Sequence, residues 1–195
     1  MNQYVKRSIL ILSQVFNLKV FVLFFCLPLY AIAADINVYF NHPGNSPAIT
    51  ADLETVIIDV IDDANTSIDV AIYDFEMVSI ANALNAAKLR GVSVRLITDN
   101  ENTGVDNQDA LSILTNNNIP WLDDTADGSA GSGSQHNKFI VVDGILVLSG
   151  STNFTHSGIH GDPDGEGGYN GSGNINNIVT IQSSSLATIY TTQFN

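Results

Sequence analysis

The sequence predicts an α/β fold, a mixed β-sheet covered by helices on both faces. Three observations predict it. From Asn37 onward, short apolar runs alternate with segments whose apolar residues recur at helical spacing. The run at 67–75, "SIDVAIYDF", is apolar on both sides, as a strand between two helix layers must be. Late in the chain "FIVVDGILVL" reads as a hairpin reversing at Asp143-Gly144, which adds antiparallel pairing to the parallel pairing that crossover helices impose.

The elements follow in order. Lys6, Arg7 and Lys19 precede a ten-residue apolar run, "VFVLFFCLPL", and Ala31-Ile32-Ala33 offers a small-x-small cleavage site before Ala34. This layout predicts a secretory signal peptide over residues 1–33, a folded domain over 34–195, and export to the periplasm or the medium. The run is shorter than the roughly 18 residues of a membrane span, and the bulky Phe24 and Phe25 argue against lipidation at Cys26. Residues 37–40 form a first strand, closed by the turn "NHPGNSP". Ser46-Pro47 caps a helix with Ile49, Leu53, Val56, Ile57, Val60 and Ile61 on one stripe. The strand at 67–75 follows, then a helix at 79–90 with Ile80, Leu84 and Ala87 inward and Gly91 as its C-terminal stop. "VSVRLI" is the next strand, and residues 106–116 are a helix packed through Leu111 and Leu114. After the hairpin come a strand at 177–181 and a helix from Ser184, with Leu186, Ile189, Tyr190 and Phe194 apolar. Two polar segments, 123–135 and 157–174, read as mobile loops at the mouth of a site.

Composition narrows the function classes. The chain has 7 basic and 20 acidic residues, a net charge of −13. Three of the bases lie in the leader and every acid follows Ala34, so the expected domain carries Lys88, Arg90, Arg95 and Lys138 against 20 acids, or −16. Such a surface gives no electrostatic footprint for nucleic acid. The single cysteine lies in the leader, which leaves the domain without a disulfide or thiolate metal site.

One of those four bases sits in the hairpin. Counting outward from a two-residue turn pairs Val142 with Ile145, Ile140 with Val147, Lys138 with Ser149, and His136 with Ser151. Side chains alternate along a strand, so His136, Lys138, Ser149 and Ser151 are expected on one face. A nucleophile or base, a cation, and neutral donors from Ser151 and Asn153, with no carboxylate among them, suit an oxyanion, above all a phosphoryl group. A histidine there could attack phosphorus and form a phosphohistidine, with Lys138 stabilising the transition-state charge.

His136-x-Lys138-(x)4-Asp143-(x)6-Gly150-Ser151-x-Asn153 resembles the signature of the phospholipase D superfamily, and the likeness extends over most of the chain after Ala34. The resemblance implies a phospholipase D-like fold and a metal-independent, cofactor-free phosphodiesterase. It implies catalytic roles for His136 and Lys138, with Asp143 the motif's third, mainly structural, position. Ser151 and Asn153 would bind substrate. Two motifs must face each other, one histidine attacking and the other protonating the leaving oxygen. This chain has one, so the second is expected from a homodimer mate or from a missing C-terminal half. Asn176 stands where single-motif members often carry a glutamate behind the histidine.

Other polar groups receive plainer readings. His42, His156 and His160 are loop histidines without metal-ligand spacing. "DPDGEGG", 162–168, resembles the start of a calcium loop but lacks the closing glutamate and flanking helices, so a solvated acidic loop is expected. The expected substrate is a phosphodiester, with phospholipid favoured over nucleic acid on charge; the alternatives are a nuclease of the same superfamily or a non-catalytic domain that keeps the motif.

Overall fold

A computed structural model describes residues 35–41, 52–102, 108–127, 133–161 and 173–195. The leader, the Ser46-Pro47 cap, His42 and the acidic run 162–168 lie outside the described residues, as do parts of both polar loops.

The elements are β1 (Asp35–Phe40), α1 (Leu53–Asp62), β2 (Ser67–Ile72), α2 (Val78–Leu89), β3 (Ser93–Thr98), α3 (Gln108–Asn116), β4 (Trp121–Asp123), β5 (Lys138–Val142), β6 (Leu146–Gly150), α4 (His156–Ile159), β7 (Asn177–Gln182) and α5 (Ser184–Phe194). The strands form one seven-stranded sheet in the order β1-β7-β6-β5-β2-β3-β4. β2, β3 and β4 run parallel, each joined to the next through a helix, whereas β5, β6, β7 and β1 pair antiparallel. The sheet is therefore mixed, as expected. It is also covered twice. Ile68, Val70, Ile72 and Ile140 meet Leu53, Ile57, Ile80, Leu84 and Leu114 from α1, α2 and α3. On the other face Ala71, Phe139, Val141 and Val147 meet Ala187 and Phe194 of α5.

Local chemistry sets the boundaries. Within the described residues α1 starts after Asp52, whose carboxylate accepts from the Glu54 amide and the Thr55 hydroxyl, both at 3.1 Å. α2 ends on Arg90, and Gly91 follows at φ 97°, where a side chain would be strained. β4 and α4 were not anticipated, because three or four residues are too short to show a period. On α5 the expectation for Ile189 fails: it is 64% exposed. The stripe facing the sheet is Ala187, Tyr190 and Phe194, at i, i+3 and i+7, and the small Ala187 lets the helix sit close.

The hairpin differs from expectation by one residue. The turn itself is as read, with Asp143 at φ 54°, Gly144 at φ 64°, and the Ile145 amide donating to the Val142 carbonyl at 3.0 Å. Ile145 is then left over: Val142 pairs with Leu146, and Phe139 with Ser149. The Ile145 carbonyl is instead taken by the Ser183 amide at 2.7 Å, just before α5. This bulge moves Ser149 to the face of Phe139 and Val141, away from that of Lys138.

Asp143 anchors the far end of this hairpin. Its carboxylate accepts from the Asn65, Thr66 and Ser67 amides at 2.9, 2.7 and 2.9 Å and from the Thr66 hydroxyl at 2.8 Å. Burial alone would raise its pKa, but these donors prevail and lower it to about 2. The folded value lies below the ordinary 3.8, so the stabilisation is full above about pH 4 and is lost as pH falls towards 2. Asp143→Ala is expected to cost about 2 kcal/mol at neutral pH. Denaturant titrations should also show the mutant losing less further stability than wild type between pH 4 and pH 2.

Candidate active site

The edge of the sheet opposite Asp143 gathers the remaining motif residues. It is formed by the carboxyl ends of β2, β3 and β6 and the starts of β5 and β7, the place where open α/β sheets present their ligand sites. The segment entering β5 is held from below. Buried Asp99, just after β3, accepts from the Gln135 amide at 2.7 Å and the Glu101 amide at 2.8 Å. Gln135 in turn receives the Asn137 amide at 3.0 Å.

His136 and Lys138, two residues apart, turn to the same side. Lys138 Nζ lies 3.2 Å from His136 Nε2 and 3.3 Å from the His136 carbonyl. An ammonium only donates, so this contact is a hydrogen bond with Nε2 as the acceptor. Tyr73, directly after β2, backs both groups. Its ring centroid is 4.5 Å from that of His136, and Lys138 Nζ is 5.1 Å from it. Burial lowers the Lys138 pKa, and the carboxylate of Asp74 partly offsets this. Tyr73 and Asp74 were missed because "SIDVAIYDF" reads as strand. The available signal was polar residues at its carboxyl end, mirroring those at the hairpin's open end.

Ser151 lies across the mouth. A shallow pocket of about 370 Å³ is lined by His136, Lys138, Gly150 and Ser151, with Ser149 and Tyr190 entering from the α5 side. The Ser151 hydroxyl lies 2.8 Å from Asn176 Oδ1 and 3.0 Å from Asn177 Oδ1, and accepts from the Asn177 amide at 3.1 Å. Asn176 stands behind Ser151 rather than behind the histidine: its Nδ2 donates to the Gly158 carbonyl at 2.8 Å, and no hydrogen bond joins it to His136 among the described residues. Asn153 is half-buried, and its Oδ1 is enclosed without a hydrogen-bond partner among the described residues. Asn153 is not among the residues that line this pocket.

Two structural residues complete the surroundings. Buried Asn41 ties the end of β1 to the motif loop. Its Nδ2 faces the carbonyls of Gly158, Ile159 and Asn174 at 2.9–3.0 Å, and its Oδ1 accepts from the Asn176 amide at 2.6 Å. Gly150 is required by contact, since a Cβ there would lie 2.1 Å from the Asn177 carbonyl oxygen. That oxygen also accepts from the Ser151 amide. Gly150→Ala must therefore part β6 from β7 and displace Ser151. The expected result is a loss of about 2 kcal/mol, a melting temperature lower by about 4–8 °C, and slower turnover at temperatures where the variant is folded.

His160 departs from its loop reading. Its Nε2 lies 2.5 Å from Glu54 Oε2, and its Nδ1 lies 4.0 Å from Asp52. The hydrogen bond with Glu54 raises the histidine pKa and lowers that of Glu54, as an ion pair does. Asp52, Glu54 and His160 are the one group of three potential metal ligands among the described residues, separate from His136 and Lys138. No described helix is long and apolar enough to cross a membrane.

Comparison with known proteins bears on the family and the fold. A family model described as "Cardiolipin synthase, PLD-like domain" matches residues 57–195. The chain is 35% identical over 92 residues to mitochondrial cardiolipin hydrolase of Xenopus tropicalis, covering 47% of this chain and 41% of that protein. It therefore spans less than half the length of this relative. Among solved structures it resembles the phospholipase D family member Nuc from Salmonella typhimurium, with TM-score 0.66, 29% identity, and 83% and 91% of the two chains covered. NucT from Helicobacter pylori, at 18% identity and TM-score 0.61, covers 83% of this chain and 93% of its own and shares the fold.

Proposed function

This chain belongs to the phospholipase D superfamily, and on that premise we propose that it hydrolyses a phosphodiester by direct attack of His136 on phosphorus. The observation that carries this reading is the 3.2 Å contact between His136 Nε2 and Lys138 Nζ at the open edge of the sheet. A phosphodiester entering there gives its anionic oxygens to the ammonium. The Nε2 lone pair is then released towards phosphorus.

In the first step the Nε2–P bond forms, the bond from phosphorus to one ester oxygen breaks, and the departing oxygen takes a proton. In the second, water adds to phosphorus, gives up a proton, and the N–P bond breaks. A phosphomonoester leaves and His136 is restored. The donor and acceptor of those protons is a second histidine, supplied by another copy of the chain or by a second motif elsewhere in a longer protein. Lys138 supplies the positive charge, so this route uses no metal ion. Ser151 would donate to a phosphoryl oxygen by turning its hydroxyl away from Asn176 and Asn177, with Asn176 holding it at the pocket until then. Asp143 acts only through the fold.

The excess of acids over bases favours a phospholipid over a nucleic acid, since polyanion binding depends on neutralising phosphates with bases. The basic, apolar leader favours export to the periplasm or the medium. The test is hydrolysis of bis(p-nitrophenyl) phosphate in excess chelator by wild type and by His136→Ala. Activity that ignores chelator and vanishes in the variant supports the reading. Equal rates in the two proteins would remove it.

A further inference from the structure

His160 and the start of α1 bring together side chains with ligand chemistry, away from His136 and Lys138. His160 closes α4, and its Nε2 lies 2.5 Å from Glu54 Oε2. Asp52 approaches the other ring nitrogen at 4.0 Å. One ligand atom from each of the three residues lies within 4.8 Å of the other two. Glu54 and His160 are 106 residues apart in sequence, so no local spacing announces them.

The surroundings fix these groups in place. The Glu54 and His160 side chains are only 21% and 19% exposed, while Asp52, at 52%, stands at the open side where an ion would enter. Ser79 of α2 hydrogen-bonds the Glu54 carboxylate, as the outer partners of metal ligands do. His156 lies one α-turn before His160, whose amide donates to the His156 carbonyl at 2.8 Å, and it acts electrostatically on the same Glu54 carboxylate. Nitrogen and oxygen donors are thus combined, a set that suits zinc and its transition-metal neighbours better than calcium or magnesium. Tetrahedral zinc, with bonds of about 2.0–2.2 Å, spaces ligand atoms about 3.3 Å apart, so Nε2 and Oε2 must open by about 0.8 Å, a small turn of the Glu54 side chain.

We propose that Asp52, Glu54 and His160 form a structural site for a zinc-like divalent ion, which fastens α4 to the start of α1. α4 follows soon after Asn153, and its Gly158 carbonyl accepts from Thr152 Oγ1 at 3.0 Å and from Asn176 Nδ2 at 2.8 Å. Asn176 in turn receives the Ser151 hydroxyl. Pinning His160 therefore steadies the backbone from which Ser151 is held. The ion takes no part in hydrolysis, and its binding does not depend on whether the chain is a phosphodiesterase.

The test uses the full chain without an affinity tag, stripped with chelator, dialysed, and then melted with and without zinc chloride. Calorimetric titration gives the stoichiometry, expected to be one ion per chain. With zinc at about a hundredfold its dissociation constant, the melting temperature should rise by about 5–10 °C. The rise should fall below about 2 °C in His160→Gln and in Glu54→Gln and persist in His136→Ala. Each variant is compared with itself, so one that starts less stable still reports. Asp52→Asn, which keeps the Oδ1 acceptor that caps α1, covers the case in which the others fail to fold, and should weaken zinc binding about tenfold. No rise with zinc, an equal rise with calcium chloride, or zinc binding unaltered in the Asp52, Glu54 and His160 variants would overturn the site. A rise that vanishes in His136→Ala would overturn it too, by placing the ion in the catalytic pocket.

Discussion

His136→Ala is expected to lower kcat/KM for phosphodiester hydrolysis by at least about 10⁴-fold, to background, while leaving the fold intact. The size follows from the role. No other nucleophile among the lining residues approaches the ammonium as Nε2 does, and losing the imidazole removes the covalent step itself. The small structural effect follows from position. His136 is exposed, precedes β5 rather than lying in it, and contacts Tyr73 and the Lys138 side chain. A melting temperature within a few degrees of wild type separates loss of chemistry from loss of structure.

Lys138→Met is expected to cost about 10²–10³-fold, chiefly in kcat. Methionine preserves most of the stem that packs at the Tyr73 ring and removes only the charge. Because burial lowers the lysine pKa, activity should fall on the alkaline side before the ordinary lysine range is reached. The sign is fixed: deprotonation removes the cation that the transition state needs. Asp74→Asn deletes the carboxylate that opposes this shift, so its alkaline limb should move to lower pH still. A pH–rate profile of wild type, Asp74→Asn and Lys138→Met checks both points, and the methionine variant should lack that limb.

The layered fold and the meeting of His136 with Lys138 were legible in the sequence for the same reason: both depend on short-range periodicity. Two residues on one strand share a face whatever the strand pairs with, so that pair survived an error in register. Ser149 did not, since its face depends on how many residues the turn holds. That number was decided by Ser183, outside the hairpin, capturing the Ile145 carbonyl. Tyr73 was hidden inside a strand pattern. Asn41 carries no local signal, and Asn176 was singled out but its place behind Ser151 was not legible, because their hydrogen bonds close distances of more than a hundred residues or reach backbone carbonyls that any sequence offers.

The central step is the bond that His136 forms to phosphorus. The most direct measurement is the stereochemical course at phosphorus, using a substrate made chiral with sulfur and oxygen isotopes. Attack by His136 and then by water makes two in-line displacements, so configuration is retained. Inversion would show that water attacks once and that the imidazole never becomes bonded to phosphorus.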